Sequence, residues 1–170
     1  MSEEVARLRG ALGWESLKRI GRDYREAYVA SRFAQIRGAN AVRLLRPSDT
    51  SPTPDFAVIV ESKEYWFETT EVDRPDRRRG AEQPVQGVRQ LEENEWITAD
   101  QYFWEIERRV KSKAARTYLK CDGLIVWSNA FAISDDEAMD TEWWQRATIS
   151  ASDRFSQCWV WHRDNWYGIF

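Results

Sequence analysis

At 170 residues, with 42% hydrophobic side chains and ten tryptophans, the chain can bury a sizeable core as one domain, which argues against disorder over most of its length. Charged residues make up 31% and the net charge is −3, so a uniformly basic nucleic-acid binder is excluded. No run reaches the roughly 18 to 20 uninterrupted apolar residues of a membrane span, and the charged opening Met1-Ser-Glu-Glu4 lacks the apolar centre of a secretory signal; a soluble, cytoplasmic protein is the expectation.

The first helix is expected over about Trp14 to Arg37, where Leu17, Ile20, Tyr24, Ala27, Tyr28 and Ala34 recur at helical spacing opposite a charged face. Residues 1–13 precede it as a flexible or helical extension of the single domain, 1–170. Gly38-Ala-Asn40 ends the helix, because Gly and Asn favour helix C-termini. Ala41 to Leu45 reads as a short strand and the proline-rich Pro47 to Pro54 as a connecting loop. Asp55-Phe-Ala-Val-Ile-Val60 is a buried strand and Tyr65-Trp-Phe-Glu-Thr-Thr-Glu-Val72 the next, with Glu61-Ser-Lys-Glu64 as the turn between them. Asp73 to Asn94 is polar and contains Arg77-Arg-Arg79, Gly80 and Pro84. A loop of that length is uncommon unless it binds something, and it is expected to form a flap over substrate.

Thr98-Ala-Asp-Gln101 is a capping box that opens a helix running to about Leu119. Tyr102, Phe103, Ile106, Val110, Ala114 and Tyr118 form its apolar stripe, whereas Arg109, Lys113 and Arg116 share a second, basic face. Cys121 to Ser128 is apolar enough after Asp122 to be buried on both faces. Ser134-Asp-Asp-Glu137 is another capping box, opening a helix to about Ala147. Gln157 to Phe170 forms a hairpin around the polar turn Arg163-Asp-Asn165, with Trp159 and Trp161 on one face and Val160 and His162 on the other. Cys121 and Cys158 lack metal-ligand spacing and are expected as buried thiols rather than a disulfide.

Pro54-Asp55 and, after twelve intervening residues, Glu68-Thr69-Thr70 put two carboxylates on adjoining strands. Residues two apart on a strand share a face, so Glu68 and Thr70 point the same way, and the hairpin carries Asp55 toward them. Two carboxylates converging there make an oxygen-ligand site suited to Mg²⁺ or Mn²⁺. The pattern resembles the PD-(D/E)XK nuclease superfamily, whose core motif is Pro-Asp, a hairpin, then Asp/Glu-x-Lys; here Thr70 stands in the lysine position. The α-β-β-β-α-β order over roughly residues 14 to 170 is also similar to that family.

The resemblance implies an α/β, restriction-endonuclease-like core with a central mixed β-sheet flanked by helices. It implies hydrolysis of phosphodiester bonds in DNA or RNA, with Mg²⁺ or Mn²⁺ held by Asp55 and Glu68. In such proteins the first helix often adds an acid; Glu26 is the candidate by position and Asp23 the alternative. The family's lysine sometimes moves to a neighbouring helix, a role that falls to Lys113, with Lys111 second, while Thr70 supplies a hydrogen bond. Arg77, Arg78, Arg109 and Arg116 are the candidate phosphate contacts. Loss of the motif lysine and the net acidity support an alternative, a degenerate module of the same fold that binds nucleic acid or a protein without cutting.

Charge is unevenly spread: residues 15–37 carry six bases and three acids, residues 105–120 six and two, and residues 134–142 five acids and no base. Either basic segment reads as a phosphate-holding surface or as a solvated helix face. The C-terminal aromatics fill a core, stack bases, or form a surface for a protein partner or a second copy.

Overall fold

The computed structural model describes residues 24–46, 51–72, 99–128, 137–162 and 165–170. The expected start of the first helix with Asp23, the arginine loop with Arg77 and Arg78, the opening of both capping boxes and the tip of the last hairpin lie outside the described residues.

Helix α1 occupies residues 24–36 and buries Val29, Ala30, Phe33 and Ala34 on one face. It ends where Gly38 takes a left-handed φ of 59°, so that the Gly38 N–H reaches Gln35 O at 3.3 Å and the Ala39 N–H reaches Ala34 O at 2.9 Å. Nothing lies within 4 Å of a Cβ built at Gly38. Gly38→Ala should therefore cost only the conformational penalty, about 1 kcal/mol in urea unfolding.

Strands β1 (Ala41–Leu44), β2 (Phe56–Val60) and β3 (Lys63–Val72) form an antiparallel meander. The turn between β2 and β3 is shorter than the expected Glu61 to Glu64. Glu61 and Ser62 alone make it, at φ of 48° and 68°, because a two-residue turn with both φ positive matches strand twist and lets Lys63 and Glu64 join the ladder. After α2 (Ala99–Ala114) come β4 (Gly123–Ser128), α3 (Glu137–Thr148), a 3₁₀ turn (Ile149–Ala151), and the hairpin β5 (Gln157–His162) and β6 (Asn165–Gly168).

These strands form one six-stranded sheet in the order β1-β2-β3-β4-β5-β6, parallel at β3-β4-β5 and antiparallel on either side. The result is an α/β fold with a mixed sheet and three helices among the described residues. Alternation along β4 sends Ile125 into a core with Val29, Phe33, Phe56, Val58 and Phe67, under α1. Leu124 and Val126 enter the opposite core with Tyr102, Ile106, Val110 and Trp144, under α2 and α3. Gly123 permits this spacing, since a Cβ there would overlap the buried Phe67 ring and stand 3.2 Å from Gln157 O. His162 is a core histidine whose Nδ1 lies 3.2 Å from the Tyr102 hydroxyl.

Helix α2 stops at Ala114, five residues before the expected Leu119. Its last carbonyls are used when Ala115 N–H bonds Lys111 O at 3.0 Å and Arg116 N–H bonds Lys113 O at 3.1 Å. The chain then turns to bury Tyr118, leaving Leu119 91% exposed. Lys113 thus sits in the final helical turn. Among the described residues no helix is long and apolar enough to cross a membrane.

Candidate functional site

The site begins where β2 stops. The last β2–β3 pair is Phe56 with Phe67, yet β3 continues to Val72 paired to β4, so the sheet opens into a notch beside residues 68–72. Pro54, which has no N–H to offer a ladder, immediately precedes it. Asp55 completes the edge. Its N–H donates to Phe67 O at 3.0 Å, and its carboxylate Oδ2 accepts the Thr69 N–H at 2.7 Å and the Thr69 hydroxyl at 2.6 Å. The aspartate side chain thereby replaces a strand partner and is fixed in place, 7% exposed.

Alternation puts Glu68 and Thr70 on the α2 face of β3 with Val72, and Thr69 and Glu71 on the α1 face with Phe67. Glu68 is 2% exposed. The Lys113 ammonium donates to its Oε1, Arg116 Nη1 stands 3.5 Å from the same oxygen, and Oε2 forms no hydrogen bond among the described residues, although the buried Tyr118 hydroxyl, likewise unpartnered, lies close enough to interact with this carboxylate. Burial, and then the negative charge of Asp55, push the Glu68 carboxyl above its usual range; Lys113 and Arg116 pull it back without offsetting them.

Glu105, 1% exposed on α2, is a built-in comparison. Burial pushes it up as well, but both its oxygens are used: Arg108 donates to Oε2 at 2.7 Å and Oε1 at 2.5 Å, and Arg109 to Oε1 at 2.7 Å. It ends below the usual range. Two buried glutamates, each met by two cations, differ in sign because burial and the Asp55 charge outweigh Lys113 and Arg116 at Glu68, whereas the hydrogen bonds and charges of Arg108 and Arg109 outweigh burial at Glu105.

Cys121 and Tyr118 lie in the field of Glu68. Burial and then that charge push the Cys121 thiol up to about 12 and the Tyr118 phenol above its ordinary value. Cys158 is pushed up to about 12 by burial. Both cysteines are free thiols, and neither has the low pKa of a nucleophile.

The notch widens into a cavity of about 330 Å³. Helix α1 contributes Arg25 and Glu26, Asp55 lies just before β2, β3 contributes Thr69 and Glu71, α2 contributes Lys113, Arg116 follows it two residues past its end, and Trp127 of β4 forms a wall beside its register partner Glu71. Of the residues expected from sequence, Asp55, Glu26, Lys113 and Arg116 line this space and Glu68 is joined to it through Lys113. Thr70 is buried on the same strand face as Glu68. Arg109 is instead bound to Glu105, and Lys111 pairs with Glu107 at 2.5 Å on the exposed side of the helix. Neither lines the cavity. Arg25, Glu71 and Trp127 escaped the sequence reading; Glu71 lies two residues from Thr69, and only the premature end of β2 pairing makes that second face of β3 accessible.

Among the described residues no group of three or more His, Cys, Asp or Glu side chains is gathered for a metal ion. Comparison with protein-family models, with curated proteins and with solved structures returned no match.

Proposed function

We propose that this protein hydrolyses phosphodiester bonds in nucleic acid with a divalent cation, on a restriction-endonuclease-like core. The observation that carries the reading is the Lys113 ammonium, delivered by α2 to Glu68 within the field of the Asp55–Glu68 pair. That is the charge which Thr70 cannot supply.

The donor set fits a hard cation. Two buried carboxylates repel each other, and one oxygen of Glu68 lacks a hydrogen bond. Mg²⁺ and Mn²⁺ commonly take one or two protein carboxylates and leave the other positions to water and phosphate, so a third protein acid is not required. Asp55, which lines the cavity with Glu26, and Glu68, which meets it through Lys113 from the other face of β3, would hold the ion; when bound it would supply a water of lowered pKa and charge for the phosphate. The chain's own residues do the rest. Thr69 fixes the Asp55 carboxylate, Lys113 sits where an ammonium orients a water and offsets developing negative charge, and Arg25 and Arg116 offer the cavity's remaining positive charge to phosphate.

Purified protein should cut DNA or RNA in Mg²⁺ or Mn²⁺ and not in EDTA. Asp55→Asn should abolish cutting while circular dichroism stays unchanged, because the charge is lost at nearly constant volume. Wild-type rates from that variant would remove the assigned site. A second reading, a non-catalytic binding module, is favoured by the approach of Arg116 to the oxygen that Lys113 already holds. It predicts salt-sensitive oligonucleotide binding by the wild type with no cleavage in either metal.

A further inference from the structure

We infer that the cavity takes a single-stranded segment of nucleic acid, one base stacking against Trp127 and Tyr28 while its phosphate meets Arg25 and Arg116; this rests on the phosphodiesterase reading and names the substrate it favours.

At about 330 Å³ the cavity is at the low end of the roughly 300 to 1,000 Å³ usual for small-ligand sites, room for a nucleotide and not for a paired helix. Its polar lining holds three acids, Asp55, Glu26 and Glu71, and three bases, Arg25, Arg116 and Lys113; the bases are the groups that attract a phosphate.

The cavity's aromatic wall is Trp127, half-buried, and it is braced. Tyr28, one helical turn beyond Arg25, is not part of the lining but is 49% exposed on the same helix and shares Trp127's support. Both rings pack on the buried Trp161, Tyr28 at 5.6 Å and Trp127 at 6.4 Å between centroids. Trp161 in turn lies flat on Trp166 at 5.1 Å with planes 4° apart. Two accessible rings are thus held by one buried ring, which lowers the ordering cost of stacking a ligand. Bases of a single strand present their faces to such rings, whereas those of a duplex are already stacked on one another.

The test is fluorescence anisotropy with a labelled single-stranded oligonucleotide and a blunt duplex of equal length, in EDTA so that neither is cut. The wild type should bind the single strand more tightly. Trp127→Leu should weaken single-strand binding by roughly 5- to 150-fold with duplex binding unchanged, Trp127→Phe should recover part of the loss, and Tyr28→Ala should weaken it in the same direction. Trp104→Leu, which removes an exposed tryptophan remote from the cavity lining, should bind as wild type. Equal affinity for duplex, or wild-type single-strand affinity in a folded Trp127→Leu variant, overturns the inference; if metal-dependent cleavage persists alongside either result, the nuclease reading stands without it. Absence of both binding and cleavage by the wild type removes both.

Discussion

Lys113→Ala is expected to lower metal-dependent cleavage by roughly 10² to 10³-fold and to destabilise the fold at the same time. The rate loss follows from removing a positioned donor from the point where negative charge develops on phosphate. The stability loss follows from Glu68, which is 2% exposed and loses the nearer of its two cations, keeping only Arg116 at 3.5 Å. Breaking a buried pair by removing one partner costs about 3 to 5 kcal/mol, and the remaining arginine together with the partly exposed lysine stem places this case near 3 kcal/mol or below. Adding Glu68→Gln to Lys113→Met should return the stability and not the activity, so a double-mutant cycle separates the two roles. Lys111→Ala, whose Glu107 pair is solvent-exposed, should change stability by no more than about 0.5 kcal/mol and leave the rate alone. A Lys113→Ala variant that cuts at the wild-type rate would show that the ammonium beside Glu68 serves the fold and not the reaction.

The strands and the face assignments were legible because they follow from local rules. Alternation placed Trp159 and Trp161 opposite Val160 and His162, and the structure sends Trp161 to one core and Val160 to the other. The hairpin that carries Asp55 and Glu68 was legible from its turn and alternation, but the Asp55 carboxylate is held by Thr69, on the strand face opposite Glu68, and not on the face expected from the sequence pattern. The notch was not. It exists because pairing ends at Phe56–Phe67 while β3 runs on to Val72 beside β4, and β4 lies more than fifty residues along the chain. Among the described residues that opening exposes the second face of β3, which is why Glu71 and Trp127 join a site whose β3 members were first read as Glu68 and Thr70.

Helix α2 teaches the same lesson from its far end. Lys111 and Lys113 are alike to any propensity rule, and the basic stripe Arg109, Lys113, Arg116 looked like one surface. What divides it is Glu105, a residue unremarked in the sequence, which captures Arg108 and Arg109 and leaves Lys113 and Arg116 to Glu68. Which cation meets which acid depends on the angle at which α2 crosses β3, and that is a tertiary quantity. Capping and turn chemistry erred on smaller points for a related reason: the early end of α2 and the two-residue turn at Glu61-Ser62 are set by what the following residues pair with.

Glu68→Gln should leave the metal-free protein more stable than the wild type at neutral pH while removing its response to Mg²⁺ or Mn²⁺. Protonated glutamic acid and glutamine are nearly the same shape, so the raised pKa of Glu68, which reports how much the ionised form costs relative to the protonated one, also indicates the sign of the change to glutamine. Burial and Asp55 outweigh Lys113 and Arg116, which means that the ionised form is the costlier one in the fold. The sign follows from proton linkage: the folded state holds this proton above pH 4.5, where the unfolded chain has begun to release it, so the contribution of Glu68 to stability falls as pH rises from about 4.5 through the raised folded value. The variant has no such proton to lose. Thermal melts in EDTA should therefore nearly coincide below pH 4.5 and diverge toward neutrality, with the glutamine variant higher by roughly a few degrees. On the proposed reading divalent cation should reverse the order, because an ion bound only by the folded wild type adds about 2.7 kcal/mol at a hundredfold excess over its Kd and adds nothing to a variant that lacks the ligand charge. A glutamine variant less stable than the wild type at pH 7 in EDTA would mean that the Lys113 pair outweighs burial, and that Glu68 belongs with Glu105 as part of the scaffold.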